Sequence, residues 1–502
     1  MENQFFIKNG SFCFIIPFFT ENSSVCNTFF NELKSKLDTL ETQELDKNKK
    51  KQERKDIIKK LKAKFINDIK TDYFSEIKPN FHTRFCKGIK HNEKEYNGRF
   101  VCKCMSSAVK FHDDISQKKN TAHFFLDSFE VNYQHKNFKC SFKFNTILYL
   151  THEDNEKAAY LLFEINMVDI NEFKSTLHYI NSEQIIFIKH LFYKSKMKLQ
   201  IQRLSNNKEI KNNCSLQEWV NKYINQLILA LKLNYNKDVP EYISKYAFKY
   251  SFIELKDICD KNGKELDIDF NHIDTNFLNK YSQQAYGLLL SDEGWYKTPI
   301  QIVKTKLQDY WTTRDFLCTF FLQHNALLFN FKNTEKGKIY TKFEEEWFSK
   351  YQENKYKDYV SHNPCLTGVD SLAIFPFLKA IYKEINIDRF EQNYKNTDKF
   401  EDTEFIRKSV SDKIKEARKE LDLLQEILDK TSLNLGEIAS MEKCIYRQFG
   451  IIEKMELIKE RYQQQVDQLN FIYEDANNQN ILNLTILTFI LGILSLILSF
   501  FN

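Results

Sequence analysis

The sequence predicts an α/β (or α+β) cytosolic domain, followed by a mainly helical region, a long coiled-coil stalk helix and one C-terminal transmembrane helix. Three patterns support this prediction: alternating apolar residues between about 121 and 205, an apolar heptad-like repeat after 400, and an uncharged apolar run at the end. The predicted boundaries are 1–250 for the α/β domain, 251–400 for the helical domain, 401–480 for the stalk and 481–501 for the transmembrane helix.

The N-terminal residues 5–19 are rich in Phe and Ile and are interrupted by Lys8-Asn9-Gly10. This pattern predicts a β-hairpin, and the absence of a preceding basic segment argues against a signal peptide. The eleven cysteines of the chain show no regular spacing, which is typical of a protein from a reducing compartment. We therefore expect the bulk of the chain to be cytoplasmic.

A basic run lies between residues 47 and 64, where only Glu53 and Asp56 oppose ten lysines and arginines. Apolar residues recur at helical spacing within it, so the sequence predicts one amphipathic helix from about 24 to 74. A solvated helix surface is the commonest meaning of such a run. Binding of anionic lipid or of nucleic acid is the alternative interpretation. We do not expect nucleic acid as a partner.

Strands and helices follow in a mixed order. Alternating or continuous apolar segments predict strands at 124–133, 138–150, 159–168 and 199–204. Helical spacing predicts helices at 171–180, 216–233, 300–331, 340–351 and 369–385. The strands are expected to form one sheet, with the helices at 171–180 and 216–233 covering one of its faces.

The predicted stalk begins with a coiled-coil seam, whose apolar residues alternate at spacings of four and three: Val410, Ile414, Ala417, Leu421, Leu424 and Leu428. Asn434, with Glu437 three residues later, has the form of a helix N-cap. No proline follows, so the sequence predicts an unbroken helix from 435 to 501, about 100 Å long at 1.5 Å per residue.

The last apolar run carries a stripe of small and polar residues at spacings of three and four: Thr485, Thr488, Gly492, Ser495, Ser499 and Asn502. Close helix packing through small residues is one interpretation, and a pore lined by these side chains is the other. Both require an oligomer. Glu474 and Asp475 precede the run, and in an oligomer they would form carboxylate rings that attract cations at the mouth of the pore.

A long stalk that continues into one pore-lining helix resembles the CorA-type magnesium channels. The resemblance covers residues 400–502 and implies a homopentamer in a membrane, with a divalent cation as the conducted ion. Of the Gly-Met-Asn signature of that family only Asn502 has a counterpart here, and the second transmembrane helix is absent. Some bacterial defence systems use CorA-like membrane effectors, so the resemblance also implies a nucleotide signal as the gating ligand.

Enzyme motifs are missing from the sequence. The eleven glycines form no G-x-G-x-x-G, P-loop or G-x-S-x-G arrangement, and there is no H-E-x-x-H, so we expect neither an enzyme nor an organic cofactor. One weak metal candidate combines imidazoles with thiols: His82, Cys86, His91, Cys102 and Cys104. It lacks the paired C-x-x-C of structural zinc sites, and buried free cysteines are the alternative interpretation.

Two functions follow from these patterns. The first is an oligomeric CorA-like ion channel in a membrane, crossing it once and gated by the cytosolic domain, with a role in antiviral defence. The second is a tail-anchored coiled-coil tether or scaffold without transport activity, in which the stripe is a packing seam.

Overall fold

The computed structural model describes residues 4–69, 121–331 with short gaps, 374–397 and 436–500. The chain divides into two compact units. The first contains residues 1–382 and 435–449, and the second contains residues 383–434 and 450–502. Eleven strands of the first unit are described, and they form one mixed sheet.

The elements follow one another in this order: β1 (Phe6–Phe19), α1 (Ser24–Thr42), α2 (Lys47–Asp68), β2 (Thr121–His135), β3 (Phe138–Glu153), β4 (Glu156–Asn166), β5 (Asn171–Glu172), α3 (Ser182–Tyr193), β6 (Leu199–Arg203), β7 (Asn212–Cys214), α4 (Leu216–Ala230), β8 (Tyr250–Cys259), α5 (Leu278–Leu290), α6 (Ile300–Lys306), β9 (Tyr310–Arg314), β10 (Leu317–Leu322), β11 (Asn325–Asn330), α7 (Ile374–Thr397), α8 (Gly436–Phe449) and α9 (Ile451–Phe500).

The sheet has the strand order β7-β6-β2-β3-β4-β1-β8-β11-β10-β9, with β5 beside β3. Its described pairs are antiparallel except β8 with β11, which is parallel. The N-terminal strand β1 lies at the centre, between β4 and β8, and ten of its fourteen residues are buried. Burial on both faces explains why its sequence is continuously apolar rather than alternating.

The hairpin predicted for residues 5–19 is wrong, because these residues form the single strand β1. The interruption at Lys8-Asn9-Gly10 is a register irregularity opposite β8 and not a turn. A Cβ at position 10 would lie 2.6 Å from the carbonyl oxygen of Glu254, so glycine permits the close approach of two strands.

The single helix predicted for 24–74 is also wrong, because α1 and α2 are separate and antiparallel neighbours. Ser23 caps α1 by accepting a hydrogen bond from the Cys26 amide at 3.1 Å. Asp46 caps α2 in the same way, accepting from the Lys49 amide at 3.0 Å. A second N-cap in the middle of an apolar repeat marks a new helix, which the periodicity alone does not reveal.

The strands predicted at 124–133, 138–150, 159–168 and 199–204 are confirmed as β2, β3, β4 and β6, and the helix at 216–233 is confirmed as α4. The helix predicted at 300–331 is wrong after residue 306, where the chain forms β9, β10 and β11. Every residue of Leu317–Leu322 is buried. Burial on both faces removes the alternation that would have identified a strand.

The helix predicted at 171–180 is wrong where it is described: Asn171–Glu172 is strand β5, and Ile180 bridges Ile7. The helix at 369–385 is confirmed in part by α7, which begins at Ile374. The helix at 340–351 and the seam at 410–428 lie outside the described residues.

The unbroken stalk helix predicted from 435 is wrong, because Gly450 separates α8 from α9. Its φ of +61° is left-handed, a backbone conformation that ends a helix and suits glycine. Helix α8 instead packs on the sheet of the first unit. The Trp311 indole donates to the Ser440 hydroxyl at 3.1 Å, and the ring of Phe449 lies 6.0 Å from that of Tyr250.

The predicted transmembrane helix at 481–501 is contradicted. In the part of the chain that the structure describes, no helix combines the length and the apolar character needed to cross a bilayer. The membrane ion channel and the single-pass membrane location predicted with this helix are contradicted by the same finding.

Helices cover both faces of the sheet. On one face, the ring of Phe14 lies 4.6 Å from that of Phe192 in α3, and Trp219 in α4 lies 4.4 Å from Phe129. On the other face, Phe377 at the start of α7 lies 5.8 Å from Phe252 in β8. The core is therefore two layers of aromatic contacts separated by the sheet.

Gly287 provides a test of this packing. A Cβ at this position in α5 would lie 2.5 Å from Cγ of Trp295, a buried side chain. We expect Gly287→Ala to lower the free energy of unfolding by about 1–2 kcal/mol, because overpacking outweighs the better helix propensity of alanine. Urea unfolding measures the change. Gly294→Ala is the matched control: its nearest neighbour would be 3.4 Å away and its φ is −94°, so a comparable loss there would contradict the packing argument.

Candidate functional site

Helix α9 changes character along its length. Its first part buries one stripe of side chains, each at most 3% exposed: Ile451, Met455, Ile458, Tyr462 and Val466. This part is tied to α7 within the second unit by an ion pair between Lys454 Nζ and the buried Glu384 Oε1, at 2.9 Å. Beyond it Phe471 is 72% exposed. The side chains that the structure describes as buried in α9 extend from Ile451 to Val466.

Residues 481–492 of α9, here called the apolar segment, are exposed on every side of the helix. Eight large apolar side chains in it are between 47% and 69% exposed: Ile481, Leu482, Leu484, Ile486, Leu487, Phe489, Ile490 and Leu491. A contiguous exposed apolar surface of this kind marks an interaction site. A helix that is apolar on all sides is normally buried by other parts of its surroundings.

The apolar segment has one face of small residues, formed by Thr485, Thr488 and Gly492. The two hydroxyls donate to the carbonyl oxygens of Ile481 and Leu484 at 2.8 and 2.7 Å. A Cβ at Gly492 would meet nothing within 4 Å. Since the hydroxyl protons are already donated, this face offers methyl groups and bare backbone, which allow a second helix to approach closely.

The remaining residues of the predicted stripe are only partly described. Ser495 and Ser499 belong to α9, but their side chains lie outside the described residues, as does Asn502 altogether. Glu474 is exposed and shares the direction of the small face, because it lies five turns before Gly492. Asp475 is one position further round the helix, and its side chain is outside the described residues. The ion-conducting role of these residues stays a prediction from the sequence.

Larger side chains flank the small face on both sides. Leu482 and Phe489, seven residues apart, lie along one flank, and Leu484 and Leu491 lie along the other. Asn483 points to the opposite side of the helix. The apolar segment can therefore contact two neighbours at once, one on each flank.

The predicted metal ligands His82, Cys86, His91, Cys102 and Cys104 lie outside the described residues. Among the residues that are described, no group of three or more His, Cys, Asp or Glu side chains could hold a metal ion.

A belt of buried polar side chains crosses the middle of the sheet, and sequence reasoning missed it. Cross-strand partners place it on neighbouring strands: Ser128, Asn145, Glu164, Cys13, Ser11 and Glu254. Ser128 donates to Asn145 at 2.6 Å, and Asn330 donates to the Glu254 carboxylate at 2.9 Å. Lys256 Nζ lies 3.4 Å from the same carboxylate. The sequence feature that could have indicated this belt is the occurrence of polar residues at alternate positions within otherwise apolar strands.

The Cys13 thiol in this belt is fully buried. Burial raises its pKa well above the usual value, and the nearby carboxylates of Glu164 and Glu254 also raise it, against a lowering by a hydrogen bond with the Phe252 backbone. Because only the thiolate is reactive, a thiol held in its protonated form is inert. The Ser128–Asn145 and Asn330–Glu254 hydrogen bonds of the belt join neighbouring strands, which is a structural role, whereas Ser11 Oγ has no hydrogen-bond partner among the described residues.

A buried cation lies on the other face, where α3 meets the end of α5. Lys189 Nζ donates to the carbonyl oxygen of Leu288 at 3.0 Å, and the neighbouring His190 ring contacts the carbonyl oxygen of Ser291 at 2.6 Å. Positive groups at a helix C-terminus satisfy its last carbonyls and interact favourably with the helix dipole. Burial nevertheless lowers the pKa of Lys189 to about 7.

No protein-family model, curated protein or solved structure matches this chain. The resemblance to CorA-type channels, the divalent cation, the nucleotide signal and the pentamer therefore stay predictions from the sequence. The apolar segment is the described feature that most directly indicates a function.

Proposed function

We propose that this chain is a homo-oligomeric scaffold, in which the apolar segments of several copies form a helical bundle and so gather several copies of the α/β unit. The observation that carries the proposal is the exposure of the apolar segment on every side of α9. A folded protein seldom leaves so many contiguous apolar side chains in water, because each gains free energy when it is covered.

The arrangement of the apolar segment favours a second copy as the occupant. Its two flanks are both apolar, so the flank of Leu482 and Phe489 on one copy can pack against the flank of Leu484 and Leu491 on the next. Repeating this contact around an axis closes a ring of identical helices. A simple pair would cover one stripe and leave the other flank in water, which favours a bundle of more than two copies.

The free energy gained by burying the apolar segment is comparable to the free-energy cost of association. Complete burial of a Leu, Ile or Phe side chain is worth about 1.5–3 kcal/mol. Ile486, Leu487 and Ile490 lie on the side of Asn483, away from the axis, so covering half of each of the other five side chains gives about 4–8 kcal/mol per copy. Association costs about 4–15 kcal/mol in lost translational and rotational freedom. The small face reduces the distance between helices and adds packing contacts at the axis.

The sequence and the polar clusters favour a scaffold over an enzyme. The chain has no nucleotide-binding or nucleophile-elbow motif. Two of the hydrogen bonds described among the buried polar groups of the sheet, Ser128 to Asn145 and Asn330 to Glu254, join neighbouring strands. A multimer that presents many copies of one α/β surface gains avidity for whatever that surface binds.

We expect the full chain to have the mass of a single oligomeric species in light scattering after size exclusion, at micromolar concentration. Leu484→Asp combined with Leu491→Asp should reduce it to the mass of one chain, because a charge on a packing flank must be desolvated without a partner. Asn483→Asp combined with Gln479→Asp is the matched control, since it adds the same charge on the side facing away from the axis, and should leave the oligomer intact. A wild-type monomer, a polydisperse aggregate, or one mass for all three proteins would refute the scaffold.

A further inference from the structure

Helix α2 concentrates the positive charge of the protein. Its 22 residues contain ten lysines and arginines against three acidic residues, a net charge of +7, whereas the whole chain has +5. The rest of the chain is therefore slightly acidic. A field of one sign confined to one helix attracts anions to that surface.

The packing of α2 against the first unit determines which side of the helix faces solvent. Leu61, Phe65 and Ile66 of α2 are buried, and the Phe65 ring lies 5.0 Å from Phe29 of α1 and 4.8 Å from Phe124 of β2. The apolar side of α2 is thus held against the first unit. Its polar side faces solvent, with Lys49, Lys55, Lys59, Lys60 and Lys64 exposed.

Some of this charge contacts the rest of the first unit. The ion pair that the described residues show for α2 joins Lys64 to Glu32 of α1. Lys62 is half-buried and its Nζ lies 5.4 Å from the centre of the Phe124 ring. Lys55 and Lys59 are four residues apart and so lie on one side of the helix, about 6 Å from each other along its axis. Together with Lys49, Lys60 and Lys64 they give five exposed charges spread over about 22 Å of the helix.

We propose that α2 binds the phosphate backbone of double-stranded nucleic acid without sequence preference. The helix is about 33 Å long, close to one turn of duplex, and a duplex carries one negative charge per about 1.7 Å. Lysines spread along this length can therefore meet several phosphates at once. Nine of the ten basic residues are lysines, which act as flexible point charges rather than as planar readers of base edges.

Two other anionic partners fit the exposed surface less well. Helices that lie in a membrane surface insert an apolar face between lipids, but the apolar face of α2 is buried in the protein, and none of the large exposed hydrophobic residues in the described ranges belongs to α2. Single-stranded nucleic acid is bound by aromatic side chains on which bases stack. The exposed side of α2 has none, so the phosphate backbone of a duplex is the partner that its chemistry matches.

Fluorescence anisotropy with two duplexes of about 20 base pairs and unrelated sequence tests this, over about 50–200 mM salt. We expect equal affinity for both duplexes. Lys55→Gln with Lys59→Gln and Lys60→Gln should weaken binding about tenfold or more and reduce the slope of log affinity against log salt by about 2–3, because three phosphate contacts are lost.

The control variant is Lys261→Gln with Lys264→Gln and Lys297→Gln, which removes the same charge from exposed sites elsewhere in the first unit. It should keep nearly the wild-type affinity. Equal losses in the two variants would mean that net charge alone attracts the duplex, and no binding by the wild type would overturn the proposal outright. Binding of wild type to vesicles with anionic lipid, but not to duplexes, would assign α2 to a membrane surface instead. None of these readouts depends on the oligomeric mass that tests the scaffold.

Discussion

Trp219→Ala is expected to lower the free energy of unfolding of the first unit by about 3–5 kcal/mol. Trp219 is 1% exposed and lies at the centre of an aromatic cluster between α4 and the sheet. Its ring is 4.4 Å from Phe129, 5.1 Å from Tyr223 and 5.4 Å from Phe144. Alanine removes these contacts and leaves a cavity that three strands and a helix cannot close without moving.

Urea unfolding followed by tryptophan-independent far-UV circular dichroism measures this change. Leu229→Ala is the matched control, because Leu229 is on the same helix α4 but 45% exposed, and its loss should change stability by about 0.5 kcal/mol or less. If both variants lose the same stability, the contribution comes from the helix as a whole and not from the aromatic cluster.

The sequence correctly predicts the part of the sheet in which strands pair with their neighbours in the sequence. Strands β2, β3 and β4 are joined by short connections and pair in sequence order, so each alternating segment signals a strand beside its neighbour. Strand β1 illustrates the opposite case. It pairs with β8, more than two hundred residues later, and the pattern of a continuously buried strand contains no information about that distant partner.

The predicted helix boundaries are wrong where a single residue ends or starts a helix. Gly450 ends a helix through its left-handed backbone, and Asp46 starts a helix through one side-chain hydrogen bond. Neither changes the apolar periodicity on either side, so a method that follows periodicity continues through both. A helix is predicted in place of strands β10 and β11 for a related reason. A strand that is buried on both faces has the same apolar composition as a buried helix.

For the candidate site, the sequence predicted which residues share a face but not what surrounds them. The spacing of Thr485, Thr488 and Gly492 places them together on any helix, and the structure has a helix there. Whether such a face meets lipid, another helix or water depends on the length of the apolar run and on the rest of the fold. The basic helix α2 shows the same limit: its charge is evident in the sequence, whereas the burial of its apolar side is a tertiary contact.

Lys189→Met is expected to change how stability depends on pH. The pKa of Lys189 is lowered from its usual value to about 7 in the folded protein, because the side chain is fully buried. In the unfolded chain it returns to about 10.4. Between these pH values the unfolded state holds a proton that the folded state does not, so protonation favours unfolding and the stability of the wild type rises with pH. Below about pH 7 both states are protonated and the penalty is complete and constant.

Methionine fills nearly the same volume and cannot be protonated, so the variant lacks this penalty. The stability of the variant minus that of the wild type should be most favourable at pH 7 and below, and should decline by up to about 5 kcal/mol as pH rises from about 7 to 10.4. The hydrogen bond to Leu288 is lost in the variant, which shifts the whole curve by about 1 kcal/mol without changing its slope. Unfolding by urea at a series of pH values measures the difference. Lys297→Met, at an exposed lysine, should give a flat difference over the same range. A flat difference for Lys189→Met as well would show that the ammonium keeps its ordinary pKa, with the helix C-terminus compensating fully for burial.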